Sequence, residues 1–154
     1  MKKITLLVAM LFATLSIAQT IKIVEIDADQ TSTDDMEFLE ILTESSNQSL
    51  SGYIVVFYNG NSDQSYRTLD LSGFTSDSNG YFIIGSDLFP GADIIMGPDN
   101  TIQNGADAIA IYSADAANFP DGTSVTSSGL VDAVVYGTSD DDDLELLAGL
   151  NQTT

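Results

Sequence analysis

The sequence predicts an all-β protein, an immunoglobulin-like sandwich of two antiparallel sheets with a short C-terminal helix. Short runs rich in Val, Ile, Phe and Tyr recur along the chain, and clusters of Gly, Asn, Asp and Ser separate them. No long helical period lies between the runs, so no crossover helix is available to join parallel neighbours. Mostly antiparallel pairing in two packed sheets is the arrangement that this pattern favours.

Seven segments have strand character. Turn residues separate them, among them the Asn-Gly pairs at 59–60 and 79–80 and the Pro-Gly pair at 90–91, which supply the positive or fixed φ angles that turns need. The predicted strands cover residues 21–26, 37–42, 52–58, 66–71, 80–85, 107–113 and 130–137.

Alternation with a period of two predicts which side chains face the core. Asp132 shares one face of the last strand with apolar neighbours, so the opposite face is expected to point inward. That inward face consists of Val131, Ala133 and Val135. The same argument predicts that Ile109 and Ile111 are core residues. The strands at 52–58 and 80–85 are apolar on both faces, which is typical of strands covered on two sides.

The segment 139–150 breaks the β pattern and predicts a short helix. Ser139 or Asp140 would cap it, and the aspartates that follow would lie near the positive end of the helix dipole. Its apolar stripe would consist of Leu144, Leu147 and Ala148. A four-aspartate calcium loop and plain disorder are the alternatives for this segment.

The N-terminus has the pattern of a secretory signal peptide, predicted to cover residues 1–18. Two lysines precede an apolar run that is too short to span a membrane, and small residues follow at the cleavage site. The exported protein would begin at Gln19 and form one domain over residues 19–154. Its expected location is outside the cell or in the cell envelope.

The charge balance excludes two classes of partner. Export would leave only Lys22 and Arg67 as cations, against 23 acidic residues. Nucleic acids and anionic membranes bind through many lysines and arginines, so neither is an expected partner. The chain has no Cys and no His, which removes disulfides, Ser-His-Asp and Cys-His catalysis, and zinc sites built on imidazole or thiolate.

The stretch "EIDADQTSTDDMEFLEIL" at 25–42 is the strongest candidate for a site, because it holds seven carboxylates. Calcium accepts six to eight oxygen ligands in flexible geometry, although the spacing is not that of an EF-hand. The calcium candidates are Asp27, Asp29, Asp34 and Asp35. The alternative is a solvated loop between two strands, with Glu37 and Glu40 at polar strand positions. A carboxylate pair for glycoside hydrolysis is a third hypothesis, which the absence of Trp disfavours.

Five segments in order carry a resemblance to a known family: "IKIVEIDADQTSTDDMEFLEIL", "LSGYIVVFYNG", "GYFIIGS", "GADAIAIY" and "LVDAVVYG". Together they resemble the lamin tail domain (LTD) family of the secreted bacterial type, over about residues 21–150. The resemblance implies an immunoglobulin-like accessory or interaction module in which residues 37–42 form a sandwich strand, and it transfers no active-site residues.

Two departures from the family limit that resemblance. Nuclear relatives are linked to chromatin, a role that a chain so poor in cations should not inherit. Relatives usually continue beyond "GLNQTT" with another strand, which leaves open that the chain is truncated.

These observations together predict a non-catalytic, secreted interaction or accessory module, part of a larger exported bacterial protein. It would need no cofactor unless calcium binds, and its partner would be an unidentified protein or cell-surface component. The alternative is a calcium-stabilised extracellular adhesion or carbohydrate-binding module. An enzyme ranks third.

Overall fold

A computed structural model describes residues 20–153, and the predicted signal peptide lies outside them. These residues form eight strands and one short α-helix, so the predicted all-β class is confirmed, and each of the seven predicted strands is present. The strands are β1 (Ile21–Asp27), β2 (Phe38–Thr43), β3 (Tyr53–Asn59), β4 (Gln64–Asp70), β5 (Tyr81–Gly85), β6 (Ile94–Ile95), β7 (Ala106–Ser113) and β8 (Leu130–Gly137). Helix α1 covers Leu144–Gly149.

The strands form two four-stranded sheets. The first sheet has the order β1-β2-β5-β6 and the second has the order β4-β3-β7-β8. Every pairing is antiparallel except that of β5 with β6. Within residues 20–153, the sequence did not predict strand β6 or the 3₁₀ helix Ala116–Asn118, because two or three residues are too few for a periodic pattern.

The main core lies between the two sheets, where alternate side chains of both sheets meet. Ile41 and Phe82 of the first sheet are buried there together with Val55 and Phe57 of the second. Ile109 and Ile111 join them, as predicted. Burial of these side chains is the main source of stability, because the chain has no disulfide.

A second core covers the outer face of the second sheet. Its strand residues are Ile54, Val56, Tyr58, Ala108, Ala110 and Tyr112. The segment after β7 and helix α1 supply the cover, with Phe119, Leu146 and Leu150 all buried against the sheet. Strand β3 is therefore buried on both faces, as its sequence predicts. Strand β5 is not, because Tyr81 is exposed and Ile83 is only half-buried.

The predicted inward face of β8 is wrong in part. Val134 and Tyr136 pack on the main core, whereas Ala133 and Val135 pack on the second core. Asp132 can occupy the core side because its Oδ2 accepts a hydrogen bond from the backbone N–H of Ile23, at 2.7 Å. Both faces of β8 are half-buried, so alternation alone could not decide between them.

Helix α1 begins one turn later than predicted. Asp143 is its N-cap, and the Asp143 Oδ1 accepts from the backbone N–H of Leu146 at 2.8 Å. The predicted caps Ser139 and Asp140 are exposed and lie before the helix. Leu144, predicted to belong to the apolar stripe, is 70% exposed, because the later start rotates Leu146 and Leu147 inward instead.

Candidate functional site

The acidic segment connects β1 to β2, and its carboxylates have very different environments. Asp29 is exposed, and Asp27 and Asp35 are half-buried. Asp34 is buried and Glu37 has no exposed surface at all. The hypothesis of a solvated loop over residues 27–35 is therefore wrong at Asp34, and Glu37, predicted at a polar strand position, is buried and lies just before β2.

Glu37 holds a distant loop in place. One carboxylate oxygen accepts from both the backbone N–H and the hydroxyl of Thr101, and the other accepts from the backbone N–H of Ile102 at 3.1 Å. Burial raises the pKa of this carboxyl, and the hydrogen bonds from residues 101 and 102 oppose that shift. Glu37 thus satisfies two backbone groups that would otherwise be buried without partners.

Asp34 also forms hydrogen bonds with the loop that Glu37 holds. Its Oδ2 accepts from the Nδ2 of Asn104 at 2.7 Å, and its Oδ1 accepts from the backbone N–H of Gln30 at 2.8 Å. The carbonyl of Asp34 accepts from the backbone N–H of Asn100 at 3.0 Å. The acidic segment therefore uses its two buried carboxylates to position residues 100–104.

The four calcium candidates do not converge on one point. Asp34 is already hydrogen-bonded through both oxygens, as described above. Within residues 20–153 no group of three or more acidic side chains is spaced to hold a metal ion. Calcium binding by Asp27, Asp29, Asp34 and Asp35 stays a prediction, and these ligands would have to move to share one ion.

The loop held by Glu37 and Asp34 forms one wall of a depression of about 340 Å³. Amide side chains and one carboxylate dominate its lining, which consists of Asn59, Asn61, Asn100, Ile102, Gln103, Asn104, Gly105 and Asp107. The depression lies at the end of the sandwich where β3 stops and β7 begins. The sequence argument missed it, because its residues come from two segments that are far apart in the sequence, 59–61 and 100–107.

Two tyrosines fix the central residue of this wall. The Tyr66 hydroxyl accepts from the backbone N–H of Gln103 at 3.2 Å, and the Tyr136 hydroxyl donates to the Gln103 carbonyl at 2.9 Å. The Gln103 side chain accepts from the Nδ2 of Asn59 at 2.6 Å. Burial raises the pKa of Tyr66 to about 12, so its hydroxyl stays protonated at physiological pH.

Asp107 forms part of the floor of the depression. Its Oδ1 accepts from the backbone N–H of Gly60 at 2.9 Å, and burial raises the pKa of this carboxyl, with the charge of Asp143 adding to the shift. Gly60 must be glycine here, because a Cβ at this position would overlap the carbonyl of Ala106. A surface of amides and one carboxylate can form hydrogen bonds with a polar, uncharged ligand.

No protein-family model matches the chain, and no curated protein matches it. The resemblance to the lamin tail domain and the immunoglobulin-like type of the sandwich therefore stay predictions. None of the helices formed by residues 20–153 has the length and apolar character needed to cross a bilayer.

Proposed function

We propose that this chain is a non-catalytic interaction or accessory module of an exported protein, of the lamin tail type. The observation that carries the proposal is the use made of the buried carboxylates. Oxygen atoms of Glu37 and Asp34 accept hydrogen bonds from the backbone and side chains of residues 100–104. Their role is structural, because they join the segment before β2 to residues 100–104. A general acid or base needs a free oxygen directed at a substrate.

The composition favours the same proposal. With no His and no Cys, any enzyme built on this chain would have to work with carboxylates. The proposed partner is an unidentified protein or cell-surface component, and the excess of acidic residues disfavours nucleic acid and anionic membranes.

A substrate screen tests the absence of catalysis. The purified exported chain is incubated with phosphodiester, phosphomonoester and glycoside substrates, and we expect no turnover above background. Turnover that disappears in Glu37→Gln or Glu40→Gln, in samples whose melting curve shows a folded protein, would contradict the proposal. Persistence of turnover in both variants would indicate a contaminant and leave the proposal standing.

Mass analysis of the N-terminus tests the proposed location. Protein recovered from the culture medium or envelope is expected to begin at Gln19, with or without cyclisation of that residue. A chain recovered there with Met1 still attached would rule out the signal peptide.

A calcium-stabilised adhesion or carbohydrate-binding module is the second candidate, and the depression beside Gln103 favours its carbohydrate form. Sugar hydroxyls both donate and accept hydrogen bonds, and amide side chains offer both functions at one position. Binding of a panel of oligosaccharides to the exported chain, lost in Asn61→Ala but retained in Asn79→Ala at a distant exposed turn, would move this candidate to first place.

Calcium has its own test. Melting curves at fixed ionic strength, with calcium or with sodium, separate specific binding from screening of like charges. An extracellular site would bind with Kd around 10⁻⁴ to 10⁻³ M and would stabilise the fold by mass action. We expect no calcium-specific shift. A saturable shift that disappears when Asp27→Asn and Asp29→Asn are combined would support the calcium module.

A further inference from the structure

The outer face of the first sheet is half-buried to exposed within residues 20–153, with Phe89 stacked on Phe38 at one end, and we call it the open face. The strand register places on it the side chains that alternate with the core residues: Lys22, Glu25 and Asp27 of β1, Phe38, Glu40 and Leu42 of β2, and Tyr81 and Ile83 of β5. An antiparallel sheet that faces water normally carries polar residues on that side. Four of these eight are apolar or aromatic.

The apolar side chains lie next to one another. Leu42 is opposite Tyr81, and Glu40 is opposite Ile83. At the end of β2 the Phe38 ring stacks on Phe89, with 4.4 Å between the ring centroids. Tyr81 is 38% exposed, and the others are half-buried. Contiguous apolar surface of this kind is typical of an interaction site.

The charge of the open face is negative at its centre. Glu40 is half-buried among apolar neighbours, and burial raises the pKa of its carboxyl. The negative charges of Glu25 and of Asp77, which lies at the rim of the open face, raise the pKa of Glu40 further. Lys22 is the cation of the face, at the end of β1. A cation placed over Glu40 would relieve this repulsion, whereas a second anion would increase it.

We infer that the open face binds a segment of a partner protein that carries alternating or adjacent apolar and cationic side chains. The apolar groups would cover Leu42, Tyr81 and Ile83, and the cations would pair with Glu25 and Glu40. A second copy of this chain fits poorly, because two such faces would bring four carboxylates together around Glu25 and Glu40. The inference rests on the proposed function, since it names the surface and the partner chemistry of the interaction module.

A synthetic peptide of alternating leucine and lysine is the probe, and the peptide in which glutamate replaces lysine is its control. The exported chain is labelled with nitrogen-15, and amide shifts are followed as each peptide is added at physiological salt. We expect saturable shifts centred on β1, β2 and β5 with the lysine peptide, and no binding of the glutamate peptide.

Matched variants separate this face from general attraction to an acidic protein. Glu40→Gln with Leu42→Thr alters the open face, and Asp141→Asn with Leu144→Thr makes the same changes at an exposed, acidic position outside it. We expect the first pair to raise the Kd of the lysine peptide about tenfold and the second to change it less than about twofold.

Three outcomes would overturn the inference: shifts centred on residues 28–35 or 139–145, equal losses in the two variant pairs, or no binding of the lysine peptide. The shift map needs only the unaltered protein, so a variant that fails to fold does not block the test. Turnover that disappears in Glu37→Gln or Glu40→Gln would overturn the proposed function while leaving the peptide map of the unaltered protein unchanged, so the two failures are distinguishable.

Discussion

The two sheets of this protein have the same number of strands but are buried to different extents. The second sheet lies between two cores, with β3 and β7 covered on both faces. The first sheet packs on one side only, and its other side is the open face. In the proposed interaction module, the second sheet would supply most of the stability and the open face of the first sheet would supply the binding surface. We expect the side chains on both faces of β3 and β7 to maintain the fold. Substitutions on the open face should have little effect on the free energy of unfolding.

Two isoleucines provide the largest test of this division. Ile54 is on the outer face of the second sheet and fully buried, and Ile83 is on the open face and half-buried. We expect Ile54→Ala to lower the free energy of unfolding by about 2–5 kcal/mol, because it leaves a cavity under Phe119 and α1. Ile83→Ala should cost about 1 kcal/mol or less. Urea denaturation measures both, and equal losses would show that the sheets do not differ in this way.

Two glutamates, Glu37 just before β2 and Glu40 within it, provide a second test of this division. Glu37 accepts hydrogen bonds from residues 101 and 102, whereas Glu40 lies on the open face. Glu37→Gln should lower the free energy of unfolding by about 1–3 kcal/mol, because an amide cannot accept all of these bonds. Glu40→Gln should be neutral or slightly stabilising, since it removes a repelled charge. Chemical denaturation at neutral pH checks the order, and a larger loss in Glu40→Gln would reverse our assignment of the two roles.

Removing the N-cap of α1 tests whether this helix protects the outer face of the second sheet. Asp143→Ala deletes the hydrogen bond to the Leu146 N–H and should cost about 1 kcal/mol. Hydrogen exchange should then accelerate in the helix and at the outer positions of β3 and β7, with little change in β1 and β2. Asp141→Asn, just before the helix, is the matched control. Uniform acceleration across both sheets would mean that the helix is not a separate cover.

The pH dependence of stability is the smallest expected effect. Burial raises the pKa of Glu37 and of Glu40 above the usual value of 4.5. Between the unfolded and the folded pKa of these two glutamates, the folded protein therefore binds more protons than the unfolded chain. Their contribution is therefore fully present below about pH 4.5 and is lost as the pH rises through the folded pKa. Thermal melts from pH 4 to pH 7 in Glu37→Gln should show a weaker decline than the wild type. An unchanged slope would place the effect on other carboxylates.

Much of the architecture follows from local pattern, and the exceptions have physical causes. Seven strands were predictable because β-branched and aromatic runs alternate with turn residues. The orientation of β8 was not, because Asp132 looks like a solvent-facing residue until Ile23, 109 residues away, supplies its partner. The cap of α1 was ambiguous because several consecutive aspartates could each have served, and packing of Leu146 decided among them.

The site was less predictable than the fold. The burial of Glu37 depends on Thr101, 64 residues distant, and no local pattern encodes that contact. One signal was available: Glu37 has the same parity in its strand as Leu39 and Ile41, both fully buried, so alternation placed it on the core face. The amide-lined depression is formed by two segments that are far apart in the sequence, 59–61 and 100–107, and only the assembled sandwich brings them together.

The hydrogen bond from Ile23 to Asp132 also bears on how the chain folds. It joins the first strand to the last, and β1 contacts β8 along this seam. Contacts between such distant parts of a chain form late and slow the folding reaction, because a long loop must close first. Strands β1 and β2 are neighbours in the chain and can pair early, yet the seam has no partner until β8 has docked. The outer edge of β1 therefore stays unprotected until this last step of folding, and before it β1 is most exposed to wrong pairing.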